Sequence, residues 1–235
     1  MGKFYRINSQ FELGVRLPKF EQDVVKNEPM FFSADPSFAW ANGGPITKAF
    51  FKAIFGGPEV FSDGSERPNF LKGIDQQGYC FDSRVHMLMP GWYPAIPGWH
   101  HDDVPRTRSD GQPNYEDPHY QSKHVLALVN GDICPTEFAV GEVDMPHVDG
   151  VVYKKWHPIV EQDIKEGSLE RVQVPSNQLV WFDHHSFHQA SKAVGRGFRW
   201  FGRLSWDAGY LTGRPKFNEI RNQVNVYLEF PMEGW

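Results

Sequence analysis

The 235-residue chain has little cysteine, no long apolar run and no excess of positive charge. Its two cysteines, Cys80 and Cys134, are too few for a disulfide scaffold and are not spaced as a zinc knuckle, so we expect a cytoplasmic protein. No run reaches the roughly 18 apolar residues of a membrane-spanning helix, so no membrane partner is expected. The 24 basic residues are outnumbered by 29 acidic ones, which gives no basic footprint for duplex nucleic acid.

The chain does contain enough apolar and aromatic residues for a large core. Apolar residues make up 40% of the sequence and aromatic residues 15%, while a charged fraction of 23% argues against a disordered chain. All-β sandwiches and barrels often reach this length undivided. We therefore predict a single domain over residues 1–235, with small molecules or peptides as partners.

Short apolar segments separated by turn residues predict a mainly antiparallel β fold, either a sandwich or a barrel. The predicted strands are 79–81, 84–89, 125–129, 136–143, 151–156, 169–174, 179–182 and 198–206. Helical spacing of apolar residues predicts a helix at 46–55 that packs outside the sheet, and residues 217–227 fit a short helix or a strand. Residues 59–76 and 104–123 are predicted loops, and the second is long enough to cover a site.

Residues 98–103, Gly-Trp-His-His-Asp-Asp, place two imidazoles and two carboxylates in four consecutive positions. In an extended segment, residues i and i+2 point to the same side. Either His100 with Asp102 or His101 with Asp103 can therefore bind one metal ion. Two ligands do not hold a metal alone, so this reading needs a third ligand elsewhere in the chain.

A third ligand is offered by the three histidines that follow the apolar strand 179–182, namely His184, His185 and His188. His184 and His185 are expected to be turn residues or to orient the ligands. Two histidines and one carboxylate leave coordination positions open, which is the arrangement of non-haem Fe(II) oxygenases. His86 lies on an apolar strand and is expected to be a core histidine that can also line the cavity.

Cations follow closely in the strand 198–206. Arg199, Arg203 and Ser205 occupy alternate positions, so they share one face of the strand. An unpaired buried arginine is costly, so an anionic ligand is expected at this face. Thr136, which begins an earlier strand after Pro135, can hydrogen-bond a carboxylate of such a ligand.

Three pieces of the sequence resemble the Fe(II)/2-oxoglutarate-dependent dioxygenases, in particular the phytanoyl-CoA hydroxylase-like branch. They are Trp99-His100-His101-Asp102, the segment from Phe182-Asp183 to His188-Gln189-Ala190, and Gly197-Phe198-Arg199. The resemblance spans residues 79–206. It implies a double-stranded β-helix, that is, a jelly roll or cupin-like barrel, with flanking helices.

The resemblance also implies a set of cofactors and a reaction. Iron would be held by His100, Asp102 and His188, and the co-substrates would be 2-oxoglutarate, anchored by Arg199, and O2. The implied activity is hydroxylation of a small-molecule or peptide substrate with release of succinate and carbon dioxide. The presence of Asp102 favours hydroxylation, desaturation or cyclisation over halogenation, because related halogenases lack that carboxylate.

Two assignments stay open at the level of sequence. Trp99 favours the pair that begins at His100, although the pair that begins at His101 has the same spacing. Arg203 with Ser205 is similar to the Arg-x-Ser pair that holds 2-oxoglutarate in the penicillin synthase branch, and Arg203 can instead bind an anionic substrate. The alternative function is a cupin-like metal enzyme or small-molecule binder that does not use 2-oxoglutarate, which would leave Arg199 and Arg203 without a role.

Overall fold

The computed structural model describes residues 4–57, 59–60, 66–67, 78–208 and 216–228. Within them the chain is mainly β, with four α-helices. The strands are β1 (Phe4–Ser9), β2 (Phe11–Arg16), β3 (Met30–Phe32), β4 (Glu59–Val60), β5 (Glu66–Arg67), β6 (Cys80–Leu88), β7 (Tyr120–Val129), β8 (Thr136–Pro146), β9 (Glu170–Gln173), β10 (Gln178–Asp183), β11 (Phe187–Ala190), β12 (Gly197–Ala208) and β13 (Glu219–Arg221). The helices are α1 (Gln22–Lys26), α2 (Pro36–Asn42), α3 (Pro45–Phe55) and α4 (Val152–Glu166).

A five-stranded antiparallel sheet has the order β2-β10-β7-β12-β6. Helices α2 and α3 cover its outer face, where Phe50 and Phe51 pack against Phe81 and Trp200 of the sheet. Helix α3 starts at Pro45, whose missing N–H is no loss in a first turn, and stops before Gly56. The helix predicted at 46–55 is therefore present, packed outside the sheet as expected.

A smaller antiparallel sheet is built around the long strand β8. Strand β1 pairs with its second half, while β9 and β11 pair with its first half from opposite sides. Leu126, Val180 and Phe182 on the inner face of the large sheet pack against Phe138 of β8. The two sheets therefore enclose a common interior, and that interior holds the candidate site.

The strand predicted at 151–156 is wrong, because these residues begin helix α4. Val151 and Tyr153 favour strands locally, but Trp156 and Val160 stand one helical turn apart and are both fully buried. Trp156 packs against Tyr5 and Phe187 of the small sheet. The tertiary contacts of this one helical face override the local β preference.

The other predicted strands are present: β7, β8, β10 and β12 are longer than predicted, the segments 79–81 and 84–89 form the single strand β6, and β9 is shorter than the predicted 169–174. The segment 217–227 contains the short strand β13. The predicted loop at 104–123 is irregular only as far as His119, because β7 begins at Tyr120. Most of the predicted loop at 59–76 lies outside the described residues. In the described part of the chain, no helix combines the length and apolar character needed to cross a bilayer.

Candidate metal centre

Two distant segments of the chain meet at the candidate ligands. His100 and His188 exchange a pair of backbone hydrogen bonds, each with an N···O distance of 3.1 Å, as a short antiparallel bridge. His188 belongs to β11, which is fixed in the small sheet by its pairing with β8. This bridge brings Asp102 close to His188, although the two residues are 86 positions apart in sequence.

The side chains of His100, Asp102 and His188 form a compact group. A ligand atom from each lies within 4.8 Å of the others, so all three can contact one ion. Within the described residues, these three are the histidines and carboxylates that lie close enough together to hold one metal ion. The spacing His-x-Asp and the distal histidine thus converge as the sequence predicts.

Backbone carbonyls orient both imidazoles. The Nδ1 atom of His100 lies 2.9 Å from the Gly98 carbonyl oxygen, and Nδ1 of His188 lies 2.9 Å from the Ser186 carbonyl oxygen. A carbonyl oxygen only accepts, so each Nδ1 carries the proton and donates it. In the neutral rings the lone pair is then on Nε2, the atom that remains for a metal.

The local charges favour a neutral His100 and an ionised Asp102. Burial, followed by the proximity of His188, lowers the pKa of His100 to about 4. Burial opposes ionisation of Asp102, but Arg203 and His188 outweigh it and hold the pKa of that carboxyl well below its usual range. Both groups are therefore in the protonation state that a metal ligand requires.

The alternative pair has other partners. Nε2 of His101 lies 3.0 Å from the His185 carbonyl oxygen, so it donates, and Nδ1 accepts from the Tyr115 hydroxyl at 2.9 Å. Both ring nitrogens of His101 are thus engaged with protein groups. Asp103 points instead towards Arg203, with an Oδ2–Nη2 distance of 3.8 Å. The geometry favours the His100–Asp102 pair over the register shifted by one residue.

The two neighbouring histidines also lie apart from the group. His184 is buried against the ring of His185, with 4.2 Å between ring centroids, and His185 Nε2 donates to the Tyr115 carbonyl oxygen at 3.2 Å. Tyr115 is buried and links His101 to His185, a role that was not predicted from the sequence. Its position in a long polar loop gave no signal for that role.

Strand β12 places its alternate residues on the inner face of the large sheet, as predicted. Arg203 bonds the Asp102 carboxylate, and Ser205 Oγ lies 2.8 Å from His124 Nδ1. Burial lowers the pKa of Arg203, but Asp102 and Asp103 outweigh this and raise it above the ordinary value. Arg203 is therefore already paired with acidic groups of the protein.

Arg199 has no such acidic partner. It is only 2% exposed, and its Nη2 donates to the Thr136 hydroxyl at 3.2 Å. Its buried Nε has no hydrogen-bond partner among the described residues. Burial lowers the pKa of Arg199, because no carboxylate of the described residues lies close enough to offset the lost hydration. An anion that entered this site would meet a desolvated guanidinium.

These groups share one cavity of about 170 Å³ between the two sheets. The candidate ligands, both arginines of β12 and Thr136 line it, together with His86 and the apolar side chains of Leu126 and Phe201. His86 is buried on β6, as expected for a core histidine, and it also borders this cavity. The predicted loop over the site mainly lines a different cavity of about 540 Å³, which shares His100.

No family model matches the chain, and no curated protein matches it. Among solved structures it is similar to HygX from Streptomyces hygroscopicus with nickel and 2-oxoglutarate bound, with 9% identity, a TM-score of 0.39, and coverage of 86% of this chain and 84% of that chain. It is also similar to SnoK, a non-heme alpha-ketoglutarate-dependent carbocyclase from nogalamycin biosynthesis, with 10% identity, a TM-score of 0.35, and coverage of 92% and 90%. Function has to be inferred from the chain's own residues.

Proposed function

We propose that the protein is an Fe(II)- and 2-oxoglutarate-dependent dioxygenase. One observation carries the proposal: the group His100, Asp102 and His188 opens into the same small cavity as Arg199, a buried cation without an acidic partner. The first three residues fit the iron, and the fourth fits the distal carboxylate of the co-substrate. The facing antiparallel sheets support the proposal that the domain is a double-stranded β-helix.

The donor set fits Fe(II). Two imidazole nitrogens and one carboxylate are the ligands of non-haem iron oxygenases, and they leave positions open for other ligands. Nε2 of His188 and Oδ2 of Asp102 are 3.1 Å apart. At this distance a single cation can contact both atoms. We assign His100, Asp102 and His188 as the iron ligands on these grounds.

The surroundings of Arg199 fit a carboxylate of 2-oxoglutarate. A guanidinium binds a carboxylate through two parallel hydrogen bonds, and such charge-assisted bonds are strong in a buried site. Thr136 adds a hydroxyl beside the guanidinium. Arg203 is paired with Asp102 already, so we assign the co-substrate to Arg199 and leave to Arg203 and Ser205 an assisting role.

When bound, iron and 2-oxoglutarate activate O2, with release of succinate and carbon dioxide and oxidation of the substrate. The chain's residues prepare the site for this chemistry. The carbonyls of Gly98 and Ser186 fix the two imidazoles, and Arg203 holds the carboxylate of Asp102. Leu126 and Phe201 give the cavity an apolar wall that limits water.

We propose hydroxylation as the outcome and a small molecule or peptide as the substrate. The Trp-His-x-Asp sequence at residues 99–102 supports placing the protein in the phytanoyl-CoA hydroxylase-like branch. We further propose a single domain with a cytoplasmic location, as the composition suggests. The alternative, a cupin-like metal protein that does not use 2-oxoglutarate, leaves the buried Arg199 without an anion.

Release of succinate tests the proposal without knowledge of the substrate. Protein reconstituted with Fe(II) is given 2-oxoglutarate and O2, and succinate is quantified. We expect slow succinate formation that needs both iron and 2-oxoglutarate and falls to background in His188→Ala. His119→Ala, at an exposed histidine outside the cavity, is the matched control and keeps the wild-type rate. A wild-type protein that binds iron and forms no succinate contradicts the proposal and favours the cupin-like alternative.

A further inference from the structure

A larger chamber of about 700 Å³ adjoins the metal cavity. Arg84, His86, Pro94, Ala95 and His100 line both spaces, so the two meet at these residues. The volume lies within the range of pockets that bind small molecules. A ligand in the chamber therefore borders the candidate iron ligands through a small set of shared side chains.

The sheet register fixes where Arg84 points. In the antiparallel pairing of β6 with β12, Arg84 stands opposite Phe201, and His86 stands opposite Arg199. Directly paired residues point to the same face of a sheet. Arg84 therefore faces the interior, between the metal cavity and the chamber, and is not a surface charge.

Arg221 is the other arginine that lines the chamber, and it is already engaged. Its guanidinium contacts the Asp82 carboxylate at 3.4 Å and lies over the ring of Phe32, 4.2 Å from the centroid. Its Nε also donates to the Phe31 carbonyl oxygen at 3.0 Å. Arg221 thus holds strand β13 against β3 and has little capacity left for a ligand.

Arg84, in contrast, is partly buried without a close acidic partner. No described residue forms a hydrogen bond or an ion pair with its guanidinium. Burial, reinforced by the positive charge of Arg221, lowers the pKa of Arg84, and the carboxylates of Asp82 and Asp102 offset this only in part. Glu219 also lines the chamber, but it is exposed. A desolvated cation at the boundary of a ligand-sized chamber is a binding site for an anion.

We propose that the chamber is the substrate site and that Arg84 binds a carboxylate or phosphate group of the substrate. This inference rests on the proposed function, because it takes the occupant of the chamber to be the substrate. Pro94, Ile96 and Val224 provide apolar wall for the rest of the molecule, and Asn222 and Gln223 provide amides. The substrate class is therefore a small organic anion, held with its charged end near the iron.

Neutral His86 is compatible with this arrangement. Burial, followed by the charge of Arg199, lowers the pKa of His86 to about 3, so the ring is uncharged near neutral pH. It can donate one hydrogen bond to an anion on Arg84, and it adds no charge to the boundary. The positive charge offered to the substrate therefore comes from Arg84.

Three probes of equal chain length test the inference in the metal-free protein. Hexanoate, hexyl phosphate and hexanamide are titrated, and their dissociation constants are measured by saturation-transfer NMR. We expect wild type to bind one of the two anions at least about tenfold more tightly than the neutral amide, because a charged hydrogen-bonded pair replaces a neutral one. The anion that binds more tightly identifies the charged group as carboxylate or phosphate.

Variants assign that preference to one residue. Arg84→Gln is expected to reduce the preference for the anion to less than about twofold, and Arg84→Lys is expected to keep part of it. The exposed control Arg196→Gln is expected to keep the wild-type preference. Arg84→Met, which keeps the length of the stem, gives a second neutral variant if Arg84→Gln does not fold.

Any of three results would overturn the inference. The anion preference could be unchanged in both neutral Arg84 variants, or it could be lost in Arg199→Gln alone. The wild-type protein could also bind all three probes equally. All titrations are done without iron and 2-oxoglutarate. A protein that forms no succinate can therefore still bind anions through Arg84, and a working dioxygenase can lack such binding, so the two failures are distinguishable.

Discussion

The two faces of strand β12 are both buried, but they have opposite chemistry. On the outer face, Trp200 and Leu204 are fully buried in the cluster beneath helices α2 and α3. On the inner face, Arg199 is almost as buried, yet its guanidinium meets a hydroxyl and no carboxylate. Burial of the apolar face stabilises the fold, whereas burial of the charged face opposes it until an anion binds.

This difference separates the residues that stabilise the protein from those that form the site. Substitutions on the outer face are expected to change the free energy of unfolding. Substitutions on the inner face are expected to change ligand binding with little loss of stability.

The largest effect is expected at the iron ligands. His100→Ala removes one ligand, so succinate formation should fall to background and bound iron should be lost, as measured by turnover and metal content. His101→Ala is the matched comparison at the next residue, and its folded fraction should still bind iron. Activity in His100→Ala together with loss of iron in His101→Ala would shift the metal register by one residue.

Removal of the large side chain on the outer face is expected to destabilise the fold strongly. Trp200→Ala leaves a cavity beneath Phe50 and should lower the free energy of unfolding by about 3–5 kcal/mol, measured by urea denaturation. Iron binding by the protein that stays folded should be retained. A loss below about 1 kcal/mol would contradict the assignment of this face to stability.

Neutralisation of the inner face is expected to act on the co-substrate. Arg199→Gln removes a charge-assisted pair worth about 1.5–3 kcal/mol, so the 2-oxoglutarate concentration for half-maximal succinate formation should rise roughly 10- to 100-fold. The free energy of unfolding should stay equal or increase, because an uncompensated buried cation is removed. A normal 2-oxoglutarate requirement in this variant would move the anchor to Arg203.

The smallest effect is expected at the hydroxyl beside Arg199. Thr136→Val keeps the shape of the side chain and removes one hydrogen bond worth about 0.5–1.5 kcal/mol, so the 2-oxoglutarate requirement should rise about two- to tenfold. Thr107→Val, at an exposed threonine outside the metal cavity, is the control and should leave the requirement unchanged. An equal effect in both variants would remove Thr136 from the site.

Much of the site was predictable because it depends on local periodicity. The alternation of Arg199 and Arg203 and the i, i+2 spacing of His100 and Asp102 follow from extended backbone alone. The choice between the pair beginning at His100 and the pair beginning at His101 was not settled by local spacing. It depends on the contacts of His101 with Tyr115 and with the His185 carbonyl. Both partners are distant from His101 in sequence, so local spacing does not reveal them.

The fold was predictable where a local pattern matches the tertiary contacts. The strand β12 and the helix α3 have clear periodicity, and both are present. Helix α4 was missed because its first residues favour strands, while its helical state depends on the packing of Trp156 against the small sheet. The short bridge between His100 and His188 also has no sequence signal, since it joins segments that only the folded sheets bring together.

Anaerobic titration of the wild-type protein with Fe(II) and 2-oxoglutarate tests whether the iron and the co-substrate bind together at the proposed site. Chelation of iron by the keto acid gives a weak metal-to-ligand charge-transfer band in the visible range. We predict that the band appears only when both components are present, that it is absent in His188→Ala, and that it needs more 2-oxoglutarate in Arg199→Gln. A wild-type protein that binds iron and shows no such band at any 2-oxoglutarate concentration would contradict the account.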